Sequence, residues 1–136
     1  MRFSVNKNPL LIVLVVSLIP IGFIGLTMEE GAEGWIGLVI LLLISIPLLW
    51  ALFQSYHEMT DEELIIVFGP IRKRVPFRDI KEVKYSYNPL SSPAWTMKRL
   101  EIRYSNYKSI LVSTPQDDLE FKKQLEARCP DAEIRI

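Results

Sequence analysis

The chain has 136 residues, 49% of them hydrophobic, and its 16 basic residues balance 16 acidic ones for no net charge. That length has room for one domain and its anchors, and the balance excludes the strongly positive face that bulk nucleic-acid binding requires. One cysteine, Cys129, rules out an intrachain disulfide and fits a reducing compartment.

The apolar excess lies before Tyr56, where the only charges are Arg2, Lys7, Glu29, Glu30 and Glu33. Pro9–Met28 is uncharged over about 20 residues, enough to cross a hydrocarbon core of roughly 30 Å as a helix. Pro20 and Gly22 would break a helix in water, but lipid and neighbouring helices tolerate such kinks. A second apolar stretch, 35–53, contains Pro47 and carries Trp35 and Trp50 where amphipathic rings suit a membrane interface. The acidic residues 29–34 between the two leave length only for an antiparallel hairpin. Arg2 and Lys7 precede the first span and Arg72, Lys73 and Arg74 follow the second. The positive-inside rule therefore predicts a multi-pass protein of the cell membrane with both termini cytoplasmic. A cleaved signal peptide is the competing reading of the first span; Gly25 and Thr27 could precede a cut, but an A-x-A pattern is missing. Either way the tail stays inside. The expected division is a transmembrane hairpin over 1–56 and a cytoplasmic domain over 57–136.

That domain has about 80 residues, close to the lower limit for an unaided core. Its pattern is mostly period two. Residues 63–68 form a dense β-rich run ended by Gly69 and Pro70. Ile71, Lys73, Val75 and Phe77 then alternate with Arg72, Arg74 and Pro76, which predicts a half-exposed strand with Pro76 at its end or at an edge. In 80–87, Val83, Tyr85 and Tyr87 share one face, and Glu82, Lys84 and Ser86 the other. Asn88 and Pro89 end that strand, and a Pro-rich connection follows. Over 98–104, Leu100, Ile102 and Tyr104 are expected inward and Arg99, Glu101 and Arg103 outward. Ser105 and Asn106 make a tight turn, and 107–112 returns as the partner strand. Thr114 reads as a helix N-cap with Pro115 at the first helical position, and Phe121, Leu125 and Cys129 recur as one apolar stripe before Pro130. The predicted class is α+β: a bent antiparallel sheet or partial barrel closed by a C-terminal helix, behind a two-helix hairpin.

The segment NPLSSPAWTMKRLEIRY, residues 88–104, followed by ILVSTPQDDLEFKKQL, resembles the bacterial pleckstrin-homology-like family named after the YyaB protein. The matching positions are Ser92, Pro93, Ala94, Arg99, Leu100, Glu101, Ile102 and Tyr104, then Ser113 and Pro115. Thr96 and Lys98 depart from the usual Ser and Asp, and Thr114 intervenes before Pro115. The resemblance spans roughly residues 56–125. It implies a pleckstrin-homology-like fold and says little about function, although a related short member looks like a bacteriocin immunity protein.

No catalytic constellation is visible, no phosphate loop, and no paired cysteines for zinc, so neither an enzyme nor a cofactor is expected. His57, the one histidine, follows the second span and reads as an interfacial residue. Cys129 reads as a packed thiol. The acids Asp61, Glu62 and Glu63 read as a solvated loop, with no metal. The binding candidates are the basic residues Arg72, Lys73, Arg74 and Arg78, joined by Lys84, and an aromatic rim of Tyr85, Tyr87, Leu90 and Trp95. An anionic leaflet attracts each nearby cation by about 1 kcal/mol. The expected partners are the bilayer, its anionic head groups or another membrane protein. The expected function is a non-catalytic binding module at the cytoplasmic face; the alternative is bacteriocin immunity.

Overall fold

The computed structural model describes residues 1–28, 31–87 and 96–136. Stretches rich in Leu, Ile and Val form two helices, α1 (Pro9–Met28) and α2 (Ala32–Phe53), each including its proline. α2 starts three residues ahead of Trp35. The two pack as an antiparallel pair, brought together where Gly22 meets α2: a Cβ there would lie 3.1 Å from Leu41 and 3.2 Å from Leu38. Small residues permit this close approach between apolar helices. Their outer faces, including Leu10, Phe23, Leu43 and Ile46, are exposed. Both helices are long and apolar enough to cross a membrane, and most of each is uncovered by the rest of the chain.

The remaining chain makes two sheets. In the first, β1 (Arg2–Ser4), β2 (Ser55–Met59), β3 (Glu63–Phe68) and β4 (Ile71–Pro76) lie antiparallel in that order. β1 pairs with β2 through Arg2↔Glu58, Phe3↔His57 and Ser4↔Tyr56. The helical hairpin is therefore inserted between two neighbouring strands, and residues 2–4 belong to the sheet. Gly69 makes the β3–β4 turn with φ 56°, a left-handed conformation that glycine adopts freely. A 3₁₀ turn (Phe77–Asp79) rounds the corner into the second sheet, with β5 (Ile80–Ser86), β6 (Arg99–Tyr104), β7 (Lys108–Ser113) and β8 (Glu133–Arg135) in the order β7-β6-β5-β8. The β6–β7 turn holds Ser105 and Tyr107 at positive φ, and Ser105 N–H donates to the Asp79 carbonyl at 2.8 Å. α3 (Asp118–Arg128) lies against the core, and β8 returns parallel to β5. The class is α+β, as the sequence predicts.

Inward residues of both sheets, among them Leu64, Val75, Val83, Leu100 and Ile102, meet Phe121, Leu125 and Cys129 of the α3 stripe. Phe3 of β1 stands edge-on to Phe121 at 5.2 Å, so the first strand reaches the centre of this core.

Four local expectations change. The helix begins at Asp118, because residues 114–116 are held extended against the N-terminal segment: Asn6 N–H donates to the Thr114 carbonyl and Gln116 N–H to the Ser4 carbonyl, both at 2.8 Å. Asp117 is the cap, its side chain accepting from Glu120 N–H at 3.1 Å. Arg99, expected outward, is buried at the start of the central strand β6, where Nε donates to the Thr96 carbonyl at 3.3 Å. Ile71, expected inward, is 52% exposed, because β4 begins at the open end of the sheet. Tyr87, past the end of β5, is exposed although Val83 on the same expected face is buried.

Candidate functional site

The two helices and the sheets meet without a linker. β2 starts two residues after α2 ends, and the β3–β4 turn abuts the last turn of α2. A Cβ on Gly69 would fall 2.8 Å from the backbone of Ala51, and Gly69 N–H donates to the Gln54 carbonyl at 2.8 Å. Around this junction Val5, Val15, Ala51 and Leu52 form a second apolar cluster, joined by Leu48 and Phe68. The Lys7 ammonium donates to the Leu52 carbonyl and so occupies an otherwise unsatisfied acceptor at the α2 C-terminus.

β4 leaves this junction carrying Arg72, Lys73 and Arg74, all exposed. Period two divides them. Arg72 and Arg74 face outward, and Arg74 approaches Glu63 at 3.5 Å. Lys73 shares its face with Val75, the inner one. The structure thus gathers these three residues near the end of α2 and separates them from the other candidates. Arg78 lies past the far end of β4, about 20 Å along the strand from Ile71. Lys84 belongs to the second sheet, between Glu82 at 3.9 Å and Glu101 at 3.8 Å, beside Arg103, which meets Glu82 at 3.1 Å. Trp95 and Leu90 lie outside the described residues. Tyr85 is engaged by its own fold: its hydroxyl donates to Asp118 Oδ2 at 3.0 Å, and Lys98 sits 3.6 Å from its ring centre. Burial first, then the bond and charge of Asp118, pushes its phenol up to about 12. Among the described residues, no three of His, Cys, Asp and Glu gather as a metal site would require.

One pocket was not legible in the sequence. It lies between β4 and β7, holds about 350 Å³, and has Val5, Phe68 and Ile71 on the side of the helices. Ile66, His57 and Lys73 also line it. The sheet register puts His57, Ile66 and Lys73 in a single row across β2, β3 and β4, two residues deeper than the row of Ser55, Phe68 and Ile71. His57 is not interfacial; it is 2% exposed, because β2 continues directly from α2 and turns Ser55, His57 and Met59 inward. Its Nε2 lies 2.7 Å from the Ser113 carbonyl, which can only accept, so Nε2 carries the proton. Nδ1 is then a bare acceptor, without a partner among the described residues. Burial lowers the imidazole to about 4 against the smaller opposing effect of the Ser113 bond, so the ring is neutral at pH 7. Recognising β2 from the alternation around His57 would have found this residue.

The family model described as the bacterial PH domain matches residues 55–129. The chain belongs to that family. No curated protein matches it, and no solved structure does. The match runs from the start of β2 to the residue after α3, so the core of this bacterial PH domain contains both His57 and the basic strand β4. β1, the helical hairpin and β8 lie outside it. No catalytic family is indicated.

Proposed function

We propose that this bacterial PH domain is a non-catalytic binding module fixed to the cytoplasmic face of a membrane, where β4 reads the charge of the adjacent leaflet. The helices α1 and α2 form a two-span hairpin, both termini lie in the cytoplasm, and β1 with residues 55–136 forms the cytoplasmic body. The exposed apolar faces of the helices support the spans, and the cations flanking them support the orientation. The observation that carries the reading is the seating of Gly69 on Ala51 and Gln54. A β4 that starts two residues past this contact holds Arg72 and Lys73 within about 10 Å of the end of α2. Cations at that depth lie within a Debye length of lipid phosphates.

The test uses the full chain in nanodiscs, with amide hydrogen exchange read along β4. Anionic lipid should slow exchange at residues 71–75 about fivefold relative to phosphatidylcholine, an effect lost in high salt and in Arg72→Glu. Equal exchange in both lipids would end the leaflet reading. A role in bacteriocin immunity rests on the motif resemblance at 92–104 alone; its test is survival of a bacteriocin challenge by cells that express the chain.

A further inference from the structure

β4 and β7 are terminal strands of their sheets, each paired along one side. The sheets part between them. The opening is the groove of about 350 Å³, with Ile71 and Lys73 of β4 on one wall and the consecutive residues 109–113 of β7 on the other. The register decides which backbone groups of β4 are left over. Gly69 and Pro70 form a two-residue turn, so Phe68 and Ile71 make the first hydrogen-bonded pair of the hairpin. Bonded pairs then fall at Ile66↔Lys73 and Leu64↔Val75. The phase holds past the strand, where Phe77 N–H donates to the Glu62 carbonyl at 3.0 Å. The N–H and C=O groups of Arg72 and Arg74 therefore point away from β3, toward the free edge. Pro76 falls in the same phase, so its missing N–H takes nothing from the β3–β4 ladder.

A free edge is a template for further pairing, and its side chains decide what it accepts. Arg72 and Lys73 have no ion pair among the described residues, and Arg74 approaches Glu63 at 3.5 Å. A second copy laid on β4 would set like charges against one another, which opposes pairing. An acidic strand reverses that sign. Residues paired opposite Arg72 and Arg74 project on their face, and the alternate residues project over the groove, where Phe68, Ile71 and Leu111 are apolar. We propose that the free edge of β4 takes an extended, acidic segment of a partner protein as a fifth strand of the first sheet. Arg72 and Arg74 supply the backbone hydrogen bonds and their guanidinium groups meet its acids. Its alternate apolar side chains enter the groove against Ile71 and Leu111. This stands apart from the leaflet reading, because it uses the backbone edge of β4 and does not need anionic lipid.

The test uses the full chain in phosphatidylcholine nanodiscs and a synthetic eight-residue peptide alternating glutamate and valine. Binding is read by anisotropy of a dye on the peptide and by amide exchange along the chain. Bound peptide should slow exchange at Arg72 and Arg74 about tenfold and leave Lys73, already paired to β3, unchanged. Contact through charge alone has no such alternation. Methylating the glutamate amides, which face β4, should weaken binding about tenfold or more, as expected for several lost hydrogen bonds. Methylating the valine amides, which face away, should cost far less. Lysine in place of glutamate should abolish binding. On the chain, Arg74→Gln removes one charge, whereas Arg74→Pro also removes an edge N–H and spares the β3 ladder, so it should bind more weakly still. The methylation series leaves the chain untouched and decides the question even where Arg74→Pro fails to fold. No binding of the glutamate–valine peptide overturns the proposal. So does binding indifferent to which amides are methylated, or protection that falls on Ser109 and Leu111 of β7 instead. Failure here with salt-sensitive protection in anionic discs would leave the leaflet reading standing; peptide binding with no response to anionic lipid would remove that reading alone.

Discussion

His57 shows how far one residue can be misplaced by its neighbours in sequence. Set four residues past the apolar helix and beside Glu58, it looks like a group meant for an interface, yet the direction of β2 turns it into the core against Phe121. Its lowered pKa has a consequence for stability. In the unfolded chain the ring titrates at 6.5, and in the folded protein at about 4. Between those values the unfolded chain binds a proton that the folded chain refuses. Stability should therefore be complete above pH 6.5 and fall as the pH drops toward 4, by about 3 kcal/mol in all. His57→Gln should flatten that part of the profile in denaturation of the detergent-solubilised chain; an unchanged slope would show that other groups set it. Gly69 offers a second test. Alanine there would need positive φ and would meet the backbone of Ala51, so Gly69→Ala should cost about 2–4 kcal/mol. Gly25→Ala, with open space around its Cβ, should leave the thermal midpoint nearly unchanged.

Elements with a periodic signal were legible. The two apolar helices, β3 with its Gly-Pro stop, the β6–β7 hairpin and the stripe of α3 all appear where the pattern predicts them. Apart from β2, whose alternation was readable, the misses share a cause. β1 and β8 have three residues each, too few for a period, and each is made by pairing with a distant strand rather than by its own propensity. The N-cap moved from Thr114 to Asp117 for the same reason, since a partner remote in sequence claimed residues 114–116. The site divides along the same line. The basic strand could be read from charge, whereas the pocket depends on a register that brings residues of β2, β3 and β4 into one row. The reach of β1 into the core is measurable. Phe121→Ala should destabilise by about 3–5 kcal/mol. A double-mutant cycle with Phe3→Ala should show a coupling of about 1 kcal/mol, as expected for an edge-on aromatic pair. Additive losses would mean that β1 merely covers the sheet edge.

At the scale of the molecule, the zero net charge conceals a division of labour. Acids and bases on the second sheet neutralise one another through Glu82, Glu101, Lys84 and Arg103, while Arg72 and Lys73 are left without ion pairs among the described residues. Partly covered surface pairs of this kind contribute modestly to stability, on the order of 1 kcal/mol each. They leave Arg72 and Lys73 as charge without an acid partner among the described residues, beside the end of α2, which no count of charges could reveal. The placement of the helical hairpin between β1 and β2 also has a consequence for synthesis. The first strand leaves the ribosome more than 50 residues ahead of its partner. On the proposed two-span topology, it cannot be seated until both helices have been made and the second has led the chain back to the side where the first began. A nascent chain whose second helix goes astray leaves Phe3 and the opening strand on one side and the remaining strands on the other. Under that proposal, completion of the sheet is a built-in check on insertion, and a chain that fails it would present an unfinished edge to the cell's proteases.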